Sequence, residues 1–197
     1  MADVDDLARM ITDATCIVAS TGAGISTASG IPDFRSPGGI WTKFKPIEFG
    51  DFVSSAEARR ESWRRKFASD AVMKAATPNA GHRSLAHLVE LGRMPAVITQ
   101  NIDGLHQASG IPDDKVIELH GNATYASCLG GGRRYTLDWV REIFAIDEAL
   151  PICTDCGGMI KTATISFGQS MPEAEMERAR AVALLADLVI TIGSSLV

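Results

Sequence analysis

Short, nearly unbroken apolar runs recur along the chain: Cys16-Ile17-Val18-Ala19, Pro95-Ala96-Val97-Ile98-Thr99, Val116-Ile117-Glu118-Leu119 and Asp187-Leu188-Val189-Ile190-Thr191-Ile192. Runs of this length without polar alternation are the pattern of strands buried on both faces. Between them the period becomes helical. Val4, Leu7, Ala8 and Ile11 share one helical face ahead of the first run. Asn79 is placed to cap a helix with Leu85, Leu88 and Val89 on its buried side and Gly92 at its end. Pro172 suits the first position of another helix that continues through Ala181, Leu184 and Leu185. From Pro46 to Ala75 apolar and charged positions mix without a clean period, which predicts short helices, with Arg59 to Lys66 as a solvated helix face. Strands alternating with helices predict an α/β fold with a parallel sheet covered on both faces. From Ser127 to Lys161 three consecutive glycines, a Cys pair and scattered aromatics predict a small inserted module, after which Thr162 to Phe167 returns to strand character.

Composition narrows the class without changing this picture. At 197 residues the chain has room for one domain with a small appendage. Its 46% hydrophobic and 22% charged residues are ordinary for a globular protein and exclude disorder and coiled coil. A net charge of −5 announces no strongly basic surface, so no direct nucleic-acid binding is expected. The acidic start Asp3-Val4-Asp5-Asp6 is unlike a secretory signal, and no apolar run approaches the ~18 residues of a membrane span. Four cysteines are too few for a disulfide scaffold. A reducing, cytoplasmic location away from membranes is the expectation.

Candidate chemistry gathers where strands end. Gly22-Ala23-Gly24 follows the first run and leads into a helix, the arrangement in which backbone N–H groups meet a pyrophosphate. By itself the signal is weak, because Thr27 replaces the third glycine of the dinucleotide fingerprint and no acidic residue ends a clear second strand. A tight strand-to-helix turn with no ligand explains the same residues. Thr99-Gln100-Asn101-Ile102-Asp103-Gly104-Leu105-His106 follows the second run, and its amide and carboxylate groups suit a carboxamide. His120 follows the third run, so three strand ends offer polar groups to one crevice. His106 reads as a residue steadying its loop, His82 and His87 as residues without chemistry, and Cys16 as a small buried hydrophobe.

These blocks resemble the sirtuins, the NAD-dependent protein lysine deacylases. The likeness rests on Gly22-Ala23-Gly24-Ile25-Ser26, Gly30-Ile31-Pro32-Asp33-Phe34-Arg35, the Thr99 to His106 block, His120-Gly121, Cys153 and Cys156, Phe167-Gly168, and Gly193-Ser194-Ser195-Leu196, all in the family's order. The resemblance implies a Rossmann-like NAD-binding core at 1–126 and 162–197 and a zinc-ribbon-like module at about 127–161. It implies that Gly22, Ala23, Gly24, Ile25, Asp33, Phe34, Arg35, Gly193, Ser194 and Ser195 bind NAD, with Gln100, Asn101, Ile102 and Asp103 lining the nicotinamide pocket. The acyl-lysine oxygen would attack C1′ of the nicotinamide ribose as nicotinamide leaves. His120 would serve as general base on the ribose hydroxyls, an imidazole being suited to that work near neutral pH. Phe167 and Gly168 would present a strand edge that an acyl-lysine peptide extends by main-chain pairing.

Three departures from the family pattern carry expectations of their own. A structural zinc site wants four ligands. Cys128, Cys153 and Cys156 supply three, and Gly131 stands where the fourth Cys falls, so the sequence leaves retention of zinc, with water or a borrowed side chain, and its loss equally open. Gln169 follows Phe167-Gly168 where the family often has an acidic residue, which points to altered peptide preference. The chain stops at Val197, inside the last block, which predicts an exposed sheet edge and an incomplete adenosine pocket. Mono-ADP-ribosyl transfer on the same site, or weakly active or inactive NAD and peptide binding, are the alternative readings.

Overall fold

The structure, a computed structural model, describes residues 4–33 and 45–194. Two sheets organise it. The larger is parallel and runs in the order β3 (Val116–Glu118), β2 (Val97–Thr99), β1 (Ile17–Thr21), β7 (Leu188–Ile192). Ala19 lies opposite Val97 and Ile190, so β1 is central and the carboxyl ends of all four strands point to one side.

Period-two alternation divides the strands between two cores. Ile17, Ala19, Val97 and Val116 face a layer that contains Leu85 and Val89 of α4 (Ala80–Glu90) and partly buried Ile11 of α1 (Val4–Asp13). Val18, Ile98 and Ile117 face the other way, onto Ala179 and Val182 of α7 (Glu173–Leu185). Both faces of β1, β2 and β3 are covered, which is why those runs read as continuously apolar, whereas β7 departs from the expected two-sided burial: its alternate positions face outward, with Val189 53% exposed. The expected α/β fold with a parallel sheet between helices is therefore present.

The docking of α1 is looser than its pattern suggests: Val4 is 78% exposed and no residue of the helix is fully buried. Its junction with β1 is held by polar contacts instead. Asp187 accepts from the Thr15 hydroxyl at 2.5 Å and from the Thr15 and Cys16 N–H groups at 2.8 and 3.0 Å. Cys16 is half-buried just ahead of β1, where a buried strand position was expected.

The smaller sheet is antiparallel, in the order β5 (Arg134–Thr136), β4 (Gly121–Cys128), β6 (Ile160–Thr164). It reaches beyond the expected 127–161 module at both ends. Gly121 and Ala126, assigned from sequence to the large core together with Thr162 and Thr164, pair across this sheet with Thr164 and Thr162, with a register shift between them. Pairing partners are long-range contacts, so alternation alone could not say which sheet these strands join. Strand structure also stops at Thr164, and Phe167-Gly168 lies in a turn rather than in the expected strand.

The 46–75 segment forms α2 (Phe49–Ser54) and the 20-residue α3 (Ala56–Ala75), where several short helices were expected. The period is obscured because α3 turns few apolar residues inward. Trp63 and Phe67 enter the core of the small module, beside Val140 and Phe144 of α6 (Leu137–Phe144), Ala126 and Ile160. The run from Arg59 to Lys66 is more than a solvated face. Arg59 donates to the carbonyls of Phe52 and Val53 at 2.9 Å, Arg64 reaches Glu148 across the module at 2.7 Å, and Lys66 pairs with buried Asp70, which also accepts from Arg141 at 2.6 Å. Of these, the Arg64–Glu148 and Arg141–Asp70 contacts fasten the module to α3.

Candidate active site

The turns after β1 and β7 cross so closely that only glycine fits. Gly24 N–H donates to the Gly193 carbonyl at 2.9 Å. A Cβ on Gly22 would lie 2.7 Å from that oxygen, one on Gly24 2.7 Å from the Gly193 Cα, and one on Gly193, where φ is +65°, 2.2 Å from the Ile25 nitrogen. The glycines thus serve backbone against backbone first, a reason the fingerprint reading alone does not supply. Residues Ala23–Ser29 then form a 3-10 helix that buries Ile25 and Ser26.

Ser26 holds together one wall of the strand-end site. Its hydroxyl donates to Asp103 Oδ2 at 2.7 Å and accepts from Asn101 Nδ2 at 3.1 Å, while the same amide donates to the Gly22 carbonyl at 3.2 Å. Asp103 Oδ1 accepts from Leu105 N–H at 2.9 Å, anchoring α5 (Leu105–Ala108). Behind this wall the Thr21 hydroxyl bridges Thr99 Oγ1 at 2.8 Å and His106 Nε2 at 2.9 Å, and Thr99 accepts from the Asn101 N–H at 3.0 Å. His106 is buried, which pushes its pKa down to about 4, so it is a neutral strut for the loop. Ser26, Thr21 and Thr99 were not among the expected site residues, and the signal for Ser26 was its place inside the Gly22 to Ser26 block.

His120 stands on the rim, partly exposed, two residues past Glu118, the last residue of β3. Its Nδ1 lies 3.0 Å from the Gln100 carbonyl oxygen. A carbonyl only accepts, so Nδ1 carries a proton, and in the neutral ring the lone pair is therefore on Nε2. The Gln100 N–H in turn donates to the Thr21 carbonyl at 2.9 Å, joining the three strand ends into one hydrogen-bonded patch. Gly121 sets the angle at which the chain leaves His120: its φ is +71°, and a Cβ there would lie 2.0 Å from the Ala163 oxygen. Next to it the Ile165 N–H donates to the His120 carbonyl at 2.8 Å. Two residues earlier, burial pushes the Glu118 carboxyl pKa up, although it accepts from Gln107 at 2.9 Å and Asn122 at 2.7 Å. That carboxylate was read from sequence only as part of a strand.

The residues expected to surround this patch divide as follows. Gly22, Ala23, Gly24, Ile25, Gly193 and Ser194 meet at the crossing turns, and Gln100, Asn101, Ile102 and Asp103 form the adjoining segment. Asp33 lies just beyond the 3-10 helix, while Phe34, Arg35 and Ser195 fall outside the described residues. Phe167 is 51% exposed, but its carbonyl is already taken by the Phe49 N–H at 2.8 Å. Gln169 closes that turn, its Oε1 accepting from Ser166 N–H at 3.1 Å. An amide oxygen performs there the acceptor role open to a carboxylate.

In the small module the Sγ atoms of Cys128, Cys153 and Cys156 all lie within 4.8 Å of one another, with Cys128 and Cys156 3.5 Å apart. Tetrahedral zinc with Zn–S of about 2.3 Å separates its sulfurs by about 3.8 Å, so three thiolates fit the ion. The Tyr135 hydroxyl donates to Cys153 Sγ at 3.1 Å, an outer contact of the kind that orients a ligand. Gly131 offers no donor, and a Cβ there meets nothing within 4 Å.

Comparison with known proteins identifies the family. Residues 22–197 match the Sir2 family. NAD-dependent protein deacetylase 1 of Bradyrhizobium diazoefficiens is 61% identical over 98% of this chain and 76% of its own length. The NAD-dependent protein deacetylase of Rhodopseudomonas palustris is 56% identical over 98% of this chain and 77% of its own. Among solved structures, a Sir2 protein with a p53 peptide and NAD+ superimposes with a TM-score of 0.83 at 36% identity, covering all of this chain and 78% of that one. A Sir2 protein bound to an acetylated peptide gives 0.84 at 34% identity, covering 100% and 77%. With a parallel sheet, a strand-end patch and relatives of this likeness, the chain belongs to the Sir2 family.

Proposed function

We infer that this protein is an NAD-dependent protein lysine deacetylase or deacylase that moves the acyl group of an acyl-lysine peptide to ADP-ribose and releases nicotinamide. The observation that carries the reading is the His120 tautomer: a proton held on Nδ1 by the Gln100 carbonyl leaves Nε2 free, on an accessible rim, to take a proton from a hydroxyl. The wall beside it suits NAD. Asp103, held by Ser26 and Leu105, supplies an acceptor for a carboxamide N–H, and Asn101 is locked against Gly22 and Ser26. Gly22, Ala23, Gly24, Ile25, Asp33, Gly193 and Ser194 would hold the remainder, together with Phe34, Arg35 and Ser195. When bound, NAD supplies an electrophilic ribose carbon with nicotinamide as its leaving group. Relatives with 61% and 56% identity are named for this activity, and Sir2 structures hold acetylated peptide.

Phe167 and Gly168, exposed in their turn beside α2, would meet the peptide. Zinc would be held by Cys128, Cys153 and Cys156, tying β4 to the 153–156 turn and stabilising the module. Four free thiols favour a reducing location, and we place the protein in the cytoplasm, away from membranes and, with a net charge of −5, from nucleic acid. No helix among the described residues is long and apolar enough to cross a membrane.

The test is nicotinamide release and peptide deacetylation with NAD and an acetyl-lysine peptide. Deacetylation that needs NAD and falls at least about 100-fold in His120→Ala is the expected result. Nicotinamide release without loss of the acetyl group indicates ADP-ribosyl transfer or NAD hydrolysis, and failure to bind NAD overturns all of these enzyme readings.

A further inference from the structure

A zinc ion held by these three thiolates has a fourth coordination position, and the surroundings decide what fills it. Among the described residues, the cluster of possible ligands contains Cys128, Cys153 and Cys156 alone. Asp155, adjacent in sequence to Cys156, has its carboxylate paired with Arg133. Tyr135 is also committed, since its hydroxyl donates to Cys153 Sγ and accepts the Thr154 N–H at 3.0 Å. Position 131, one residue past the Gly130 N–H that donates to Cys128 Sγ at 3.3 Å, has an ordinary backbone and open space about its Cβ direction. Cys128 and Cys153 are buried, whereas Cys156 is exposed, so the cluster meets solvent on one side. Gly158 leaves room about the sulfurs: a Cβ there would come within 3.2 Å of two of them.

We propose that the zinc of this protein keeps an exchangeable fourth position, filled from solvent by water and open to a small monodentate donor such as an imidazole or a low-molecular-weight thiol. The family-type structural site is closed by four protein ligands, and here the same fold carries an open one. The consequence is a module whose metal content, and so whose stability, responds to soluble thiols and chelators. This inference rests on the reading that the three thiolates bind zinc, and the experiment separates the two.

The metal-free protein is loaded with Co(II), whose d–d absorption reports its ligand set, and titrated with imidazole and with 2-mercaptoethanol, alongside Gly131→Cys. In the wild-type protein the bands shift saturably with each donor. In Gly131→Cys they match a four-thiolate set from the start and do not respond, and zinc affinity, from competition with a chromophoric chelator, rises at least about 10-fold. Wild-type bands that ignore both donors overturn the open position, because a protein group must then occupy it. Failure of the wild-type protein to take up Co(II) or zinc stoichiometrically overturns the zinc reading itself. Circular dichroism of both proteins checks that the fold is kept.

Discussion

Gly121→Ala tests whether the geometry of His120 is imposed by the meeting of the two sheets. Gly121 has φ +71°, a conformation that costs a residue with a Cβ about 1–2 kcal/mol. The new methyl would also sit 2.0 Å from the Ala163 oxygen. An ordinary C···O contact is about 3.3 Å, so β6 must recede from β4 by about 1.3 Å. That movement stretches the 2.8 Å bond from Ile165 N–H to the His120 carbonyl and the pairing of Gly121 with Thr164. Losing one or two such bonds at about 1 kcal/mol each brings the expected destabilisation to about 3 kcal/mol. Misplacing a catalytic group by about 1 Å costs on the order of 100-fold in rate. Urea unfolding reads the first quantity, and kcat/KM for nicotinamide release, measured where the variant is folded, reads the second. An unchanged urea midpoint with kcat/KM within about threefold of wild type would refute the idea that this glycine positions His120.

Other perturbations address the supports of the site. Trp63→Ala removes the 1%-exposed side chain that joins α3 to the small module, and should cost about 3–5 kcal/mol in chemical denaturation. A loss under about 1 kcal/mol would mean that the two pack independently. The Asp187 carboxyl is held down to about 2 by the Thr15 hydroxyl and the N–H groups of Thr15 and Cys16. Because the folded value lies below the unfolded one, its stabilisation is present above about pH 4 and fades as pH falls toward 2. Asp187→Asn should therefore lower stability at neutral pH and flatten the acid limb of the unfolding profile. Lys161 is the opposite case: burial without a carboxylate pushes its pKa from 10.5 to about 8, and its ammonium donates to the Thr164 carbonyl at 2.5 Å. Here the unfolded chain holds the proton more tightly, so stability should rise by up to about 3 kcal/mol between pH 8 and 10.5, and Lys161→Met should abolish that rise. Equal slopes in urea midpoints of both proteins would contradict it.

Much of the large sheet was legible because its information is local. Apolar runs at 17–19, 97–99 and 116–118 find burial on both faces, and helices with caps such as Asn79 supply the covering layers; the equally apolar 188–192 run pairs with β1 but leaves Val189 exposed, which its sequence did not show. The site blocks were legible for the same reason, since strand-end loops carry their polar groups as contiguous words. What tertiary structure decided was partnership. Residues 121–128 and 160–164 are unremarkable alone, and only their pairing with each other places them in the second sheet. The inward Trp63 and Phe67 of α3 make sense only once a module lies there to receive them. Likewise, sequence shows glycines at 22, 24 and 193 and serine at 26, but not that the glycines let two distant turns touch or that the serine joins Asn101 to Asp103. A sequence determines the preferences of its segments. Which segments satisfy one another, and therefore where His120 points and what the fourth side of the cysteine cluster faces, is settled by contacts between residues far apart in the chain.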